Sequence, residues 1–265
     1  YSYAMGVKQE KKDAKTAVYD ESKIKTLSSL EHIRLRTGMY IGRLGDGSNQ
    51  NDGIYILLKE VIDNAVDEFI MGNGKRVDVE VKEGRVKVRD YGRGIPLGKL
   101  VDCVSVINTG AKYNSEVFQF SVGLNGVGTK AVNALSSFFR VVSVREGKAA
   151  EAVFERGKLK SNKTIQAKPE TKPGTYVEFV PDTQVFGEYA FNMEFVERRL
   201  WNYAYLNAGL TLVCNGIKYV SEKGLLDLLS NELEGESLYP VGYYKGKQIE
   251  FSFTHSNAYG ENSFS

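Results

Sequence analysis

The stretch EVIDNAVDE at residues 60–68 decides the fold, because its spacing predicts a helix with one polar and one apolar face. At about 100° per residue, four polar residues share one side of that helix: Glu60, Asn64, Asp67 and Glu68. The apolar stripe, which predicts contact with a hydrophobic core, consists of Ile54, Leu57, Leu58, Val61, Ala65 and Phe69. The polar row is therefore either a solvated face or the wall of a binding site.

The composition of the chain is that of an ordinary soluble protein. Its 265 residues carry a formal net charge of +2, which gives no reason to expect tight nucleic-acid binding by this segment alone. Only two cysteines occur, Cys103 and Cys214, which favours reduced thiols and a cytoplasmic protein. The two histidines, His32 and His255, are far apart in sequence, so any catalysis is expected to use carboxylates. No apolar run reaches transmembrane length, so we expect no membrane partner.

We expect three segments along the chain. Residues 1–20 are polar and lack periodicity, which predicts a flexible N-terminal arm. Residues 21–236 alternate between helical and strand patterns and are expected to form one domain. Residues 237–265 predict the start of a following domain that is cut off. Within the main domain, the glycine-bearing loop at 108–128 is unusually long, which favours a functional role.

Hydrophobic patterning predicts the elements on both sides of this loop. A first helix passes through Ile24 and Ile33 and ends near residue 37, and the acidic helix ends at residues 71–72. Further helices are predicted at 97–107, 129–137, 192–206 and 223–231. Alternating residues predict a hairpin of strands at 76–82 and 85–89 that delivers Asp90 at a strand end. Other strands are predicted at 138–146, 149–156, 158–166, 175–180, 210–214 and 248–254.

Glycine recurs in the sequence GLNGVG, directly before a predicted helix. Backbone N–H groups in such a loop, together with a helix N-terminus, suit a bound phosphate. The spacing differs from the dinucleotide-binding fingerprint and no Walker A loop occurs, which argues against a Rossmann or P-loop protein. Glycines that serve only tight turns remain the alternative. The residues concerned are Gly123, Leu124, Asn125, Gly126, Val127 and Gly128.

Asp90 precedes a second glycine-rich loop that contains Gly92 and Gly94. Its carboxylate could accept a hydrogen bond from the exocyclic amine of a base, while glycines let a flat ring approach the backbone closely. The alternative is an aspartate that only caps a turn. Thr175, which follows Pro173 and Gly174, could complete the base contact through its hydroxyl.

These patterns occur together in one order: E-x-x-D-N-A-x-D-E, D-x-G-x-G-I-P, G-L-x-G-V-G before a helix, and G-T in a later strand. In this the chain resembles the ATPase domain of the B subunit of a bacterial type II DNA topoisomerase, a member of the GHKL superfamily. Two further motifs resemble the topoisomerase branch in particular, R-x-R-x-G-M-Y-I-G at 34–42 and R-E-G-K at 145–148. The resemblance extends from about residue 19 to the end of the chain.

The resemblance implies an α/β two-layer sandwich, in which a mixed, mainly antiparallel sheet is covered on one face by helices. It also implies that ATP and Mg²⁺ bind between the acidic helix and the glycine loops. By the resemblance, Glu60 is the general base that acts on the attacking water, and Asn64 is the Mg²⁺ ligand. Asp90 resembles the carboxylate that reads adenine, with help from Thr175.

Further positions match residues that surround the nucleotide. Those that resemble the base pocket and the phosphate-binding lid are Gly94, Ile95, Lys112 and the backbone at 123–128. Arg93, which by analogy pairs with Glu68, and Arg145 resemble arginines at the mouth of the pocket, where aminocoumarin inhibitors of this family bind. Tyr19 resembles the tyrosine that reaches across to the nucleotide of the partner protomer.

The resemblance also implies how the whole assembly works. ATP binding is expected to draw two copies into a dimer and to drive passage of duplex DNA, together with the A-type subunit. The following domain in this family supplies a lysine to the γ-phosphate, so weak hydrolysis is expected of this segment in isolation. Tyr55 and Ile56 stand where the B subunits of gyrases commonly carry two histidines, which favours the B subunit of a topoisomerase IV. The alternative is a non-catalytic nucleotide- or DNA-binding module.

Overall fold

An eight-stranded sheet lies at the centre of the fold. The computed structural model describes residues 28–107, 127–233 and 237–257. The strands of the sheet are β1 (Arg76–Lys82), β2 (Arg85–Asp90), β3 (Ser136–Arg145), β4 (Lys148–Glu155), β5 (Lys158–Gln166), β6 (Gly174–Pro181), β7 (Thr211–Cys214) and β8 (Ile217–Val220). Their order across the sheet is β5-β4-β3-β6-β2-β1-β7-β8. Of these neighbouring pairs, β1 and β7 run parallel and the others antiparallel.

Helices pack against one face of this sheet. Those that contact its strands are α3 (Gly53–Ile70), α4 (Leu100–Ser105), α5 (Gly128–Ala134) and α7 (Met193–Leu206). The remaining helices of the described ranges are α1 (Ser29–Leu35), α2 (Thr37–Ile41), α6 (Thr183–Phe186) and α8 (Leu225–Glu232). On β1, the buried Val77, Val79 and Val81 alternate with more exposed, charged residues, so one face meets the core and the other meets solvent. The predicted α/β fold with a mixed, mainly antiparallel sheet is therefore confirmed.

Tight two-residue turns explain why most neighbouring strands are antiparallel. Four hairpins turn through a residue with positive φ followed by glycine with positive φ: Glu83–Gly84, Glu146–Gly147, Arg156–Gly157 and Asn215–Gly216. Two positive φ angles give a turn whose twist matches that of the flanking strands, and glycine adopts such angles without steric cost. The hairpin register of the sheet is thus set locally, whereas the parallel β1–β7 pair joins strands that are distant in sequence.

The long helix α3 buries the predicted apolar stripe. Ile54, Leu57, Leu58, Val61 and Ala65 are buried, and Phe69 is partly buried at the edge of the core. Tyr55, Ile62 and Val66 are buried as well, so the apolar face is wider than predicted. The helix is covered on a second side, where the ring of Tyr55 packs edge-on against Phe195 of α7. This leaves Glu60, Asn64 and Glu68 of the polar row beside the core and facing a cavity.

Tyr55 links three parts of the fold through its hydroxyl. The side chain is fully buried, and its hydroxyl donates to the carbonyl of Gly47 at 2.7 Å. The same oxygen accepts from the backbone N–H of Asn192 at 2.7 Å. The loop before α3, the helix itself and the start of α7 are therefore joined at one atom.

Replacing Tyr55 by Phe is expected to lower the free energy of unfolding by about 1–3 kcal/mol, because the buried carbonyl of Gly47 and the partly buried N–H of Asn192 lose their partner. Chemical denaturation of the purified chain measures this change. Tyr205→Phe is the control, since its hydroxyl accepts a surface hydrogen bond from Asn231, and a change within about 0.5 kcal/mol is expected there. Equal stabilities of the Tyr55→Phe variant and the parent would contradict the structural role of this hydroxyl.

Several predicted boundaries were wrong. The first helix, predicted to end near residue 37, ends at Leu35, because Arg36 leaves helical geometry at φ −125° and ψ 44°. Its predicted beginning at Ile24 lies outside the described residues, and the separate helix α2 was not predicted. The helix predicted at 129–137 ends at Ala134, since Ser136 already belongs to β3. The helix predicted at 97–107 consists of a 3₁₀ turn, Leu97–Lys99, followed by α4. The short helix α6 was missed.

The C-terminal part forms a small separate sheet. The strand predicted at 248–254 is β10 (Glu250–Phe253), and it pairs with β9 (Gly242–Lys245), which the sequence pattern did not predict. The hydroxyl of Ser252 donates to the carbonyl of Leu225, which attaches this hairpin to α8. None of the helices in the described ranges is both long enough and apolar enough to cross a membrane.

Candidate active site

A cavity lies between the polar row of α3, the end of β2 and the first turn of α5. Seven residues that were singled out from the sequence line it: Glu60, Asn64, Asp90, Gly94, Ile95, Gly128 and Thr175. Glu68 lines it as well. Val127 immediately precedes α5. Other predicted site residues lie outside the described residues: Tyr19, Lys112, Gly123, Leu124, Asn125 and Gly126.

Asp90 occupies the apolar end of the cavity at the last position of β2. Its side chain is buried, and Oδ1 accepts from the backbone N–H of Gly92 at 2.9 Å and of Thr175 at 3.1 Å. Burial raises the pKa of Asp90 to about 6, although the two backbone hydrogen bonds oppose the shift. Because both amides bind Oδ1, the second oxygen remains for a hydrogen-bond donor in the cavity. Valines from β2, β3 and β6 flank this position and suit a flat apolar ring.

The loop after Asp90 is attached to β3. Gly94 has φ +77°, and a Cβ there would come within 2.5 Å of the carbonyl oxygen of Val144. The hydroxyl of Ser143 donates to the carbonyl of Ile95 at 2.7 Å. Arg145 donates to the carbonyl of Gly94 at 3.5 Å. Only glycine fits this close approach, and the contacts hold Ile95 in the cavity wall.

The expected ion pair between Glu68 and Arg93 is present at the cavity edge. The guanidinium donates to both carboxylate oxygens, at 2.8 Å and 3.2 Å, and the backbone N–H of Arg93 donates to Oε2 at 2.8 Å. This two-pronged geometry holds Arg93 in a defined orientation. A Cβ on Gly92 would lie 2.4 Å from Oε2 of Glu68, so glycine is needed next to the pair. Arg93 and Arg145 therefore both border the glycine loop.

Glu60 lies at the opposite, polar end of the cavity. A Cβ on Gly128 would lie 1.9 Å from its Oε2 atom, so α3 and α5 approach closely at this point because residue 128 has no side chain. Burial raises the pKa of the Glu60 carboxyl, while the neighbouring Lys59 opposes the shift. A carboxylate with a raised pKa is a better proton acceptor, so this position suits a general base.

Asn64 lies one helical turn after Glu60 and contacts α5. Its Nδ2 atom donates to Oγ1 of Thr129 at 2.5 Å, which leaves the amide oxygen for another partner. The described residues contain no group of three or more His, Cys, Asp or Glu that could hold a metal ion. Mg²⁺ nevertheless fits, because it binds through few protein oxygens and keeps phosphate and water oxygens in its shell.

Asp67 is the member of the polar row that does not line the cavity. Burial raises its pKa to about 6, and the nearby Asp63 and Glu68 add to the shift. Its neighbour Asp63 accepts hydrogen bonds from Lys59 and Tyr203 and so belongs to a separate contact with α7. The four residues that share a helical face are therefore not equivalent.

Sequence reasoning missed three polar residues of the cavity wall. Cys103 comes from α4, and Thr129 and Lys130 come from α5. Lys130 is 4% exposed, and burial lowers its pKa. Burial raises the pKa of the Cys103 thiol, with Lys130 opposing the shift. Of the three, Thr129 and Lys130 directly follow the glycine loop, which was the one signal that could have pointed to them.

Comparisons with known proteins agree with this geometry. The sequence profile of a family described as histidine kinase-, DNA gyrase B-, and HSP90-like ATPase matches residues 49–185. The B subunit of DNA topoisomerase 4 from Borreliella burgdorferi is 59% identical over 252 residues, which are 95% of this chain and 42% of that protein. The corresponding protein of Streptococcus pneumoniae is 34% identical in an alignment of 277 positions that covers 96% of this chain and 42% of that protein.

A solved structure supports the same relationship. The crystal structure of the 43K ATPase domain of Thermus thermophilus gyrase B in complex with an aminocoumarin superimposes with a TM-score of 0.67 at 32% identity. The match covers 85% of this chain and 62% of that chain. This chain spans less than half the length of the two topoisomerase 4 proteins that it matches. The chain belongs to the family of histidine kinase-, DNA gyrase B- and HSP90-like ATPases.

Proposed function

We propose that the chain is the ATP-binding and ATP-hydrolysing part of the B subunit of a type II DNA topoisomerase. The observation that carries the proposal is that one cavity is lined both by Asp90 among valines and by Glu60 with Asn64. A purine and a triphosphate need these two environments side by side. The 59% identity with the B subunit of a topoisomerase 4 over 95% of the chain supports it.

In this proposal the apolar end recognises adenine. Oδ2 of Asp90 accepts a hydrogen bond from the exocyclic amine of adenine, and the hydroxyl of Thr175 takes part in the same contact. The backbone of Gly94, which β3 holds in place, and the side chain of Ile95 form the wall beside the adenine ring. Arg93 and Arg145 border the entrance. We infer that an aminocoumarin competes with ATP here, as the related gyrase B domain was solved with such a ligand.

The polar end performs the hydrolysis. Glu60 accepts a proton from the water that attacks the γ-phosphate, or aligns that water, and its raised pKa favours the acceptor role. Asn64 would hold Mg²⁺ through its amide oxygen, and bound Mg²⁺ supplies positive charge that neutralises the phosphates. Lys112 and the backbone at 123–128 are proposed to contact the phosphates.

We also propose how the chain works in the whole enzyme. ATP binding joins two copies, with Tyr19 of each reaching the nucleotide of the other, and dimerisation is coupled to passage of duplex DNA by the A-type subunit. Residues 1–20 form the arm, 21–236 the ATPase domain, and 237–265 begin the next domain. We place the enzyme in the cytoplasm. The topoisomerase IV assignment is supported by the relatives and by Tyr55, a buried structural residue where gyrase commonly has histidine.

The assignment is tested with the full-length protein and its A-type partner. We expect ATP-dependent decatenation and relaxation of DNA, without introduction of negative supercoils. Supercoiling of relaxed plasmid would instead identify a gyrase. Failure of both reactions, with ATP hydrolysis retained, would overturn the topoisomerase assignment and leave the ATPase assignment.

We expect this segment by itself to bind ATP and to hydrolyse it slowly, because by the resemblance a lysine of the following domain contacts the γ-phosphate. Calorimetric titration measures binding, and phosphate release measures turnover. Turnover by this chain at the rate of the full-length protein would contradict the proposed need for that lysine.

A further inference from the structure

Thr129 lies in the cavity wall on α5, and none of the sequence motifs assigns a role to it. We propose that Thr129 is a positioning residue that holds Asn64 in the orientation that a metal ion requires. This inference rests on the proposed function, in which Asn64 is the Mg²⁺ ligand. It adds a member to the metal site that does not itself touch the metal.

The hydrogen bond between the two residues has a chemical direction. The amide nitrogen of Asn64 donates to Oγ1 of Thr129 at 2.5 Å. The two ends of the amide differ, since only the oxygen can bind Mg²⁺ and only the NH₂ group can donate. In this orientation the hydroxyl of Thr129 accepts a hydrogen bond from the NH₂ group, and the amide oxygen points away from Thr129 and is available as a ligand. A rotation of the amide by 180° would place NH₂ where the cation binds.

The position of Thr129 is set by the packing of α5. The next residues on the inner side of this helix, Ala131, Val132 and Ala134, are buried. Asn133 donates to the carbonyl of Val104, which ties α5 to α4. The neighbouring Gly128 fits directly against Glu60. Branching at Cβ restricts the Thr129 side chain to few rotamers, so its hydroxyl meets Asn64 from a fixed support.

The hydroxyl of Thr129 lies next to the proposed catalytic residues on α3 and carries no charge. Glu60 and Asn64 are one turn apart on α3, and Gly128 and Thr129 face them in sequence from α5. Gly128 thus lies against the proposed base, Glu60, and the next residue, Thr129, contacts the proposed metal ligand, Asn64. Loss of the Thr129 hydroxyl should therefore affect the metal and leave Glu60 in place.

The test measures ATP affinity with Mg²⁺ and with EDTA, by calorimetry, for the parent chain and three variants. The ratio of the two affinities reports the contribution of the metal. Thr129→Val keeps the shape of the side chain and is expected to lower this ratio by about tenfold, the usual effect of removing a partner of a metal ligand. Its affinity in EDTA is expected to be unchanged. Thr129→Ser retains the hydroxyl and should keep the ratio of the parent.

Asn64→Ala separates failure of this inference from failure of the proposed function. If Asn64→Ala keeps the ratio of the parent, Asn64 is not the metal ligand, and both assignments fall. If Asn64→Ala lowers the ratio while Thr129→Val does not, only the positioning role of Thr129 is overturned. The positioning role of Thr129 is also overturned if Thr129→Val weakens ATP binding equally with and without Mg²⁺. It is likewise overturned if Thr129→Ser lowers the affinity ratio as much as Thr129→Val does.

Discussion

Glu60→Gln is expected to slow ATP hydrolysis by the complete enzyme by a factor of about 10²–10⁴, the usual contribution of a general base. Glutamine keeps the size of the side chain and can still form hydrogen bonds, but it cannot accept a proton. ATP affinity should remain close to that of the parent, because Glu60 lies against Gly128 of α5, whereas Asp90, the proposed adenine contact, lies beside Gly92 and Thr175. Binding and hydrolysis are therefore expected to separate in this one variant.

Steady-state phosphate release and calorimetric binding of ATP measure the two effects. Asp67→Asn is a matched control, since it makes the same chemical change on the same polar row at a position outside the cavity wall. Hydrolysis by this control should stay near the parent rate. A Glu60→Gln variant that hydrolyses ATP at the parent rate would show that another group activates the water, or that Glu60 has no catalytic role.

Asp90→Asn is expected to weaken ATP binding by about 10²-fold while leaving the fold intact. The asparagine oxygen can still accept the N–H groups of Gly92 and Thr175, as Oδ1 of Asp90 does. The NH₂ group of the asparagine would then face the exocyclic amine of the proposed adenine. Both groups are hydrogen-bond donors, so no hydrogen bond can form between them. The proposed recognition of adenine would then be lost, although the backbone N–H contacts of the site would persist.

The stability of this variant should depend on pH in a defined direction. The pKa of Asp90 rises from 3.8 to about 6 on folding, so the folded state holds its proton to higher pH than the unfolded state. The stability contributed by this group is fully present below pH 3.8 and is lost as pH rises through about 6. At pH 8 the parent therefore bears the cost of a buried carboxylate, at most about 3 kcal/mol. Asparagine removes this cost.

Thermal unfolding at pH 5 and pH 8 without nucleotide measures the effect. Relative to the parent, Asp90→Asn should be more stable at pH 8 than at pH 5. Asp227→Asn provides a control without this pH dependence, because hydrogen bonds from Ser221 and Lys223 lower the pKa of Asp227 from 3.8, and both test pH values lie above that range. Its change in stability should be the same at pH 5 and at pH 8. A lower relative stability of Asp90→Asn at pH 8 than at pH 5 would contradict the raised pKa.

The part of the site that could be predicted from the sequence is the part that depends on local geometry. Helical periodicity is a property of consecutive residues, so Glu60, Asn64 and Glu68 were correctly expected on one wall. The hairpin turn at Asn215–Gly216 was predictable for the same reason. Periodicity could not show that Asp67 leaves the wall, since that depends on which neighbouring elements cover each side of the helix.

The other part depends on contacts between distant segments. Thr129 meets Asn64 across 65 positions of sequence, and Ser143 meets Ile95 across 48. No local pattern distinguishes these two hydroxyls from the other serine and threonine hydroxyls of the chain. The parallel pairing of β1 with β7 is similarly non-local. The resemblance to a family supplied the proposed ligands themselves, but not the residues that hold them.

The attachment of the glycine loop to β3 has a consequence for small ligands. The carbonyl of Ile95 is bound to Ser143, the close approach at Gly94 excludes side chains, and Asp90 already has two backbone partners. A heteroaromatic fragment that fills only this end finds the groups that bind it already ordered, so it loses only its own translational and rotational freedom. Such fragments are expected to bind with a larger free energy per heavy atom than complete ATP.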